Sequence, residues 1–227
     1  MLSPSPPHHR TIFAVDIEGS TTRNNSAKAD LRGAMYELVE QSLCANGITA
    51  EFREPFVDRG DGILALVRPV DEVPKTLLLA GVVPTLTGLL VQHEEQYPDQ
   101  HLRLRAVLHA GEVHQDIQGC FGEALDVAFR LLDAREVKDA FRLSTAPLVL
   151  VVSELIYRSI VLQGYEGIDE QDFTRVVDVP VGRVRYQGWV CLPGLPMVEA
   201  TPLSRRAMTG PRILRAARRF EERKHVV

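Results

Sequence analysis

The chain has few cysteines. Cys44, Cys120 and Cys191 are the only three, and no two form a CxxC pair. An odd count without pair spacing argues against a disulfide framework, and a reducing cytosol is the simplest setting for such thiols, so a cytoplasmic location is expected. Long hydrophobic runs are missing as well: none approaches the ~18 apolar residues of a membrane-spanning helix. The opening MLSPSPPHHR carries proline and serine but no apolar stretch, which excludes a secretory signal and reads as a flexible lead-in over residues 1–10. Strong charge of one sign is also lacking. A formal net charge of −4 excludes the molecule as a whole from the class of electrostatic nucleic-acid binders. No internal repeat is evident.

What is present is ordinary for a globular chain. With 227 residues, 45% hydrophobic and 25% charged, it can bury a sizeable core as one large domain plus a tail. Residues 11–17 (TIFAVDI) are a β-branched and aromatic run that reads as a buried strand. A polar loop, EGSTTRNNS, leads to a helix that Ser26 is placed to cap. Leu31, Met35, Leu38, Val39, Ser42 and Leu43 share one face of that helix, and Asn46-Gly47 closes it. Residues 50–57 and 63–67 read as two strands split by DRGDG. Residues 75–95 read as mostly helical, with Pro84 a break or kink. Residues 102–109 (LRLRAVLH) read as a strand with one wetter face, and 122–132 as a helix. After these come a strand at 148–152, a short helix at 154–160 and a strand pair at 173–179 and 183–191. The order β-α-β-β-α-β predicts an α+β fold with a ferredoxin-like core over residues 11–194. A linker and a basic C-terminal helix (211–224) are expected over 195–227, the helix read as a solvated or partner-docking one ahead of one that binds nucleic acid or an anionic membrane.

Two carboxylates stand out. Asp16 ends an apolar strand, where a charge is costly unless paired, bound to a cation or capping a loop. Asp61 lies in Gly60-Asp61-Gly62, which is also a hairpin-turn signature. If the first strand pairs with the hairpin, both carboxylates meet at one end of the sheet, a donor set suited to Mg2+ or Mn2+. Asp126 and Arg130, at i and i+4, share a helical face, either as an intrahelical ion pair or as groups facing a site. His109 and His114 lack the further ligands that a zinc site needs.

Four segments resemble a known family in its order and spacing. FAVDIEGST is similar to the opening strand motif (FADIVGST) of class III adenylate and guanylate cyclase catalytic domains. RGDGILAL is similar to their IGDGVMA, LRAVLHAGEV to RIGIHSGEV, and GEALDVAFRLLDA to GDAVNVASRLEA. The resemblance spans roughly residues 11–192 and implies a divergent bacterial nucleotidyl cyclase. Such an enzyme converts a nucleoside triphosphate to a 3′,5′-cyclic monophosphate and pyrophosphate with two divalent metals, Mg2+ or Mn2+, per site. It implies Asp16 and Asp61 as metal ligands, with the Ile17 carbonyl, and Arg130 as the transition-state arginine. Glu18, Gly19, Ser20, Thr21 and Gly60 fall in the phosphate-loop and metal-loop regions. Arg183 or Arg185 stands where the family carries a late phosphate-binding lysine. Family sites form between two domains, so a single domain implies a homodimer with sites at the interface.

The chain departs from the pattern at three positions. Asp126 replaces the ribose-orienting asparagine. Val57 occupies the place of the adenine-selecting lysine, and Gly119 that of its partner, with Cys120 one residue away. The resemblance therefore leaves the base open. Some antiphage cyclases of the family make pyrimidine cyclic nucleotides and also lack the purine pair, so cUMP and cCMP are among the implied products. The competing expectation is a catalytically degenerate nucleotide-binding or regulatory module on the same fold.

Overall fold

A computed structural model describes residues 6–194. The first five residues, and the linker and basic helix expected over 195–227, lie outside the described residues. One mixed sheet organises the rest. Its strands are β1 (His8–Ile17), β2 (Val57–Asp58), β3 (Gly62–Val67), β4 (Leu104–Asp116), β6 (Leu148–Ser153), β7 (Thr174–Val181) and β8 (Val184–Cys191), in the order β2-β3-β1-β4-β6-β8-β7. The short β5 (Gly119–Phe121) folds back on the far end of β4. β4 and β6 are parallel; the other pairs are antiparallel. The α+β expectation and the early β-α-β-β-α-β order stand.

Period-two alternation sends each strand's side chains to two separate cores. On β1, Phe13, Val15 and Ile17 point to one face and pack with α1 (Asn25–Ala45), α3 (Val83–Gln96) and α6 (Glu154–Ser159). Ile12 and Ala14 point to the other and pack with α4 (Glu123–Leu132) and α5 (Arg135–Arg142). Leu31, Met35, Val39 and Leu43 of α1 are essentially fully buried, each contributing ~1.5–3 kcal/mol of apolar transfer.

Local details differ from expectation for physical reasons. The cap of α1 is Asn24, not Ser26: the Asn24 side chain accepts from Ala27 N at 2.9 Å, and asparagine caps as well as serine. Residues 50–57 do not form a full strand. They touch β3 through one bridge, Arg53 to Val67, and pair regularly only at Val57–Asp58. Pro55 has no N–H for a ladder, and the Arg53 guanidinium lies 4.1 Å from the centre of the Phe56 ring. Pro84 does not end the helical stretch but falls in the first turn of α3. Between α2 (Lys75–Leu77) and α3 the backbone widens into a π-helical turn, Leu78–Val82, which absorbs the missing donor of Pro84. The stretch Lys75–Gln96 is long and apolar enough to cross a membrane by length and composition, although its Leu78, Val82, Leu86 and Leu90 are buried in the core. β1 starts at His8, inside the segment read as a lead-in, because β4 runs on to Asp116 and offers it partners as far as Val113. The sequence reading held neither α5 nor β5.

Candidate active site

Sheet register brings the two aspartates together. Asp16 lies opposite Gly62, and Ile17 N–H donates to the Asp61 carbonyl at 2.9 Å. The turn that carries Asp61 is held by Asp58, whose carboxylate accepts from Gly60 N at 2.6 Å, and by Arg59 N–H donating to Gly62 O at 2.8 Å. Gly60 sits at φ +80°, where a side chain is strained. Gly62 is required for another reason: a Cβ there would lie 2.5 Å from Val15 O and 3.1 Å from Asp16 Cβ. On the other side of the turn the buried Ser20 hydroxyl donates to the Asp61 carboxylate, tying the loop after β1 to the hairpin.

Asp16 points to the α4 face of the sheet. Its cross-strand neighbour Arg105 donates from Nε and Nη2 to its two oxygens, both at 2.8 Å. Burial pushes the Asp16 carboxyl up to about 6. Arg105 pulls against that shift, while the carboxylates of Asp61 and Asp133 add to it. Acidic groups are thus crowded at this spot, and a dication relieves such crowding.

α4 supplies the opposite wall. Asp126, Phe129, Arg130 and, just past its end, Asp133 fall at i, i+3, i+4 and i+7 and line the cleft together with Leu125 and Leu132, while Val127, Ala128 and Leu131 turn into the core. The ion pair that the Asp126–Arg130 spacing allows is not made, and Arg130 has no carboxylate partner among the described residues. Neither has Arg59, whose guanidinium stacks 4.0 Å from the centre of the Phe129 ring. Asp16, Asp61, Asp126, Arg130 and Arg59 share one open cleft of about 940 Å³. A second hollow of about 400 Å³ meets it at Asp61 and is bordered by Ile17, Ser20, Thr21 and Gly60, with Lys28 beside them.

Not every candidate reaches the cleft. Glu18 forms an ion pair with Arg103 at 2.8 Å, and Gly19 turns the loop at φ +67°. Val57 packs partly buried against the α4-side core. Gly119 of β5 pairs with Asp116 of β4, whereas its neighbour Cys120 does line the cleft. Arg185 is exposed and bonds Asp178 at 2.8 Å, and Arg183 is exposed beside Gly182, the last residue of that turn on the cleft wall. His109 is buried against the Ser153 hydroxyl at 2.8 Å, and His114 stacks on Phe121. Among the described residues no cluster of three or more His, Cys, Asp or Glu is arranged to hold a metal. Two adjoining carboxylates nonetheless fit Mg2+, which commonly takes one or two carboxylates and completes its shell with water and substrate phosphates.

The sequence reading missed Arg105, Arg59, Phe129 and Asp133. Arg105 left one visible signal, an arginine on the wetter face of LRLRAVLH. Phe129 and Asp133 could have been read from the helical spacing around Asp126 and Arg130, and Arg59 from its place two residues before Asp61 in the DRGDG turn.

No protein-family model and no curated protein matches the chain. Solved structures do. The guanylyl cyclase Cya2 aligns over 83% of this chain and 94% of its own, at 13% identity and TM-score 0.57. The adenylate/guanylate cyclase/hydrolase from Silicibacter pomeroyi aligns over 83% and 99%, at 18% identity and TM-score 0.58. The adenylyl cyclase CyaB from P. aeruginosa aligns over 86% and 98%, at 15% identity and TM-score 0.57. With these likenesses and the four ordered segments at its centre, the chain has the fold of a class III adenylyl/guanylyl cyclase domain, in a divergent form.

Proposed function

We propose that the protein is a nucleotidyl cyclase that closes a nucleoside triphosphate to its 3′,5′-cyclic monophosphate and releases pyrophosphate. The observation that carries this reading is the meeting, in one cleft, of the adjoining Asp16 and Asp61 with two guanidinium groups, Arg130 and Arg59, that have no carboxylate partner among the described residues. Unpaired guanidinium groups beside paired carboxylates suit a polyanion that arrives with divalent cations.

Asp16 and Asp61 would hold Mg2+ or Mn2+, two per site. When bound, these ions lower the pKa of the 3′-hydroxyl and neutralise phosphate charge. The Ser20 hydroxyl keeps the Asp61 carboxylate oriented, and Gly62 lets it sit against the end of β1. Arg130 balances charge that builds at the α-phosphate as the hydroxyl attacks and pyrophosphate leaves. Glu18, Gly19 and Thr21 belong to the loop that faces the triphosphate. Val57 and Gly119 offer no polar purine contact, so the base is not selected by the usual pair. On the family's pattern the clefts of two copies would face each other, so that Arg130 of one chain acts with Asp61 of the other in place of the Asp61 that shares its own cleft. Ile117, 97% exposed, and Phe121, 48% exposed, on the β4–β5 arm suit burial by a second copy. A cytoplasmic setting agrees with the three free thiols.

One observation favours a second reading, a nucleotide-binding module without turnover. Both oxygens of Asp16 are engaged by Arg105, so metal binding there requires the guanidinium to share or yield. Incubating the full-length protein with ATP, GTP, CTP and UTP and Mn2+, beside Asp16→Ala, decides between them. Cyclic product from at least one triphosphate, lost in Asp16→Ala, is expected. No product from any of the four, with binding retained, would establish the second reading.

A further inference from the structure

On the opposite face of the sheet from the cleft lies a groove of about 710 Å³ between α3 and residues 167–173. Its floor is apolar. Leu150 and Cys191 form it, with Val83 and Phe173 at the sides, and burial pushes the Cys191 thiol up to about 12. Val91, on the rim, is 44% exposed. The charged residues that line the groove are Glu95, Asp169 and Asp172, and none is a cation. A shallower adjoining hollow adds Glu170 and again no cation. Nothing among the described residues covers this trough, and an apolar trough with a rim of one sign suits a segment that is apolar on one side and basic around it.

The chain itself contains such a segment, and its last described residues lie at the groove. Pro193 and Gly194 are part of the wall, and a Cβ on Gly194 would lie 2.7 Å from the Thr87 side chain. The 33 residues that follow carry eight Lys and Arg against three Glu, a charge of +5, which leaves −9 on residues 1–194. Within PRILRAARRFEERK, Ile213, Ala217 and Phe220 recur at helical spacing, flanked by Arg212, Arg215, Arg218 and Arg219. Residues 195–210 can span up to about 50 Å when extended, far more than the groove requires. A tether of that length also holds the segment at an effective concentration of order millimolar.

We propose that residues 211–224 dock into the groove of their own chain, with Ile213 and Phe220 on its apolar floor and their arginines against Glu95, Asp169 and Asp172. This inference is independent of the cyclase reading. Docking on a separate protein, a nucleic acid or an anionic membrane would leave the groove open.

The test uses the full-length protein with a photoreactive benzophenone side chain in place of Phe220, prepared as a mixture of isotopically light and heavy chains. Crosslinks within one chain to Val91, Gln92 or Ile168 are expected. In the double variant Ile213→Asp/Phe220→Asp, amides of α3 and of residues 161–173 should exchange with solvent about tenfold faster than in the native chain. Crosslinks only to other surfaces, crosslinks between light and heavy chains, or unaltered exchange in the double variant would each overturn the proposal. So would protection of the groove that appears only after duplex DNA or anionic vesicles are added. None of these readouts depends on nucleotide turnover.

Discussion

The two faces of the sheet carry two unlike hollows. Among the described residues, the α4-side cleft mixes carboxylates with guanidinium groups that have no carboxylate partner, and its polar atoms are set by strand register and a tight turn. Among the same residues the α3-side groove is apolar with an acidic rim and no cation. Opposed charges crowded at fixed positions are costly to fold and suit chemistry on a charged ligand. A single sign around an apolar trough, where burial and the Asp169 charge both push the Asp172 carboxyl up, suits a docking partner of opposite sign.

The largest effect belongs to the cleft's charges. Arg130→Ala and Asp61→Ala should each lower cyclic nucleotide formation by about 10²–10³-fold or more, because each removes a group that acts where charge develops. A mixture of the two inactive variants should recover about one quarter of native activity if a homodimer builds each site from both chains, since half of the dimers then hold one intact site. Recovery of nothing, with dimers confirmed by light scattering, would place the whole site within one chain. Neither substitution should alter amide exchange at the α3 groove.

Next comes the backbone that seats Asp61. Gly62→Ala places a methyl 2.5 Å from Val15 O, a contact with backbone that no rotamer relieves. The strands must separate, at a cost of about 3 kcal/mol or more, which a urea titration would read as a lowered midpoint.

A buried histidine links the two faces. His109 on β4 contacts the Ser153 hydroxyl, which caps α6 on the groove side of the sheet. Burial chiefly, with His9 nearby, lowers the His109 pKa from 6.5 to about 4. The folded state therefore holds this imidazole neutral. Its contribution is fully present above pH 6.5 and is lost as pH falls through about 4, amounting at most to about 3 kcal/mol. Urea midpoints measured between pH 7 and pH 4 should fall for the native chain, and the slope should be shallower in His109→Gln.

Much of this was legible in the sequence, and the gaps have physical causes. Asp16 and Asp61 could be paired because the apolar run before one and the Gly-Asp-Gly around the other constrain the backbone locally. Arg105 could not be assigned to Asp16, since the two are 89 residues apart and meet only through the β1–β4 register. α5 was hidden because Arg135, Glu136, Lys138 and Asp139 outnumber the Val137, Ala140 and Phe141 that it buries. β5 is three residues long, too short for alternation to show. Residues 50–57 had strand composition, yet Pro55 and the inward Arg53 withheld the ladder. Legibility ended where a residue's role depended on a distant partner rather than on its neighbours.

The smallest effect tests the groove through a glycine that nothing around it requires. A Cβ on Gly62 meets backbone, whereas one on Gly88, inside α3 and on the groove wall, meets nothing within 4 Å. Alanine at a helix interior stabilises by about 0.5–1 kcal/mol relative to glycine. In the Ile213→Asp/Phe220→Asp background, where the groove is expected to stand open, Gly88→Ala should raise the melting temperature by roughly 1–4 °C. In the native chain the same methyl projects into the docked segment, so the gain should shrink or reverse. Equal gains in both backgrounds would mean that nothing lies over Gly88, and the groove would then be a surface that this chain leaves uncovered.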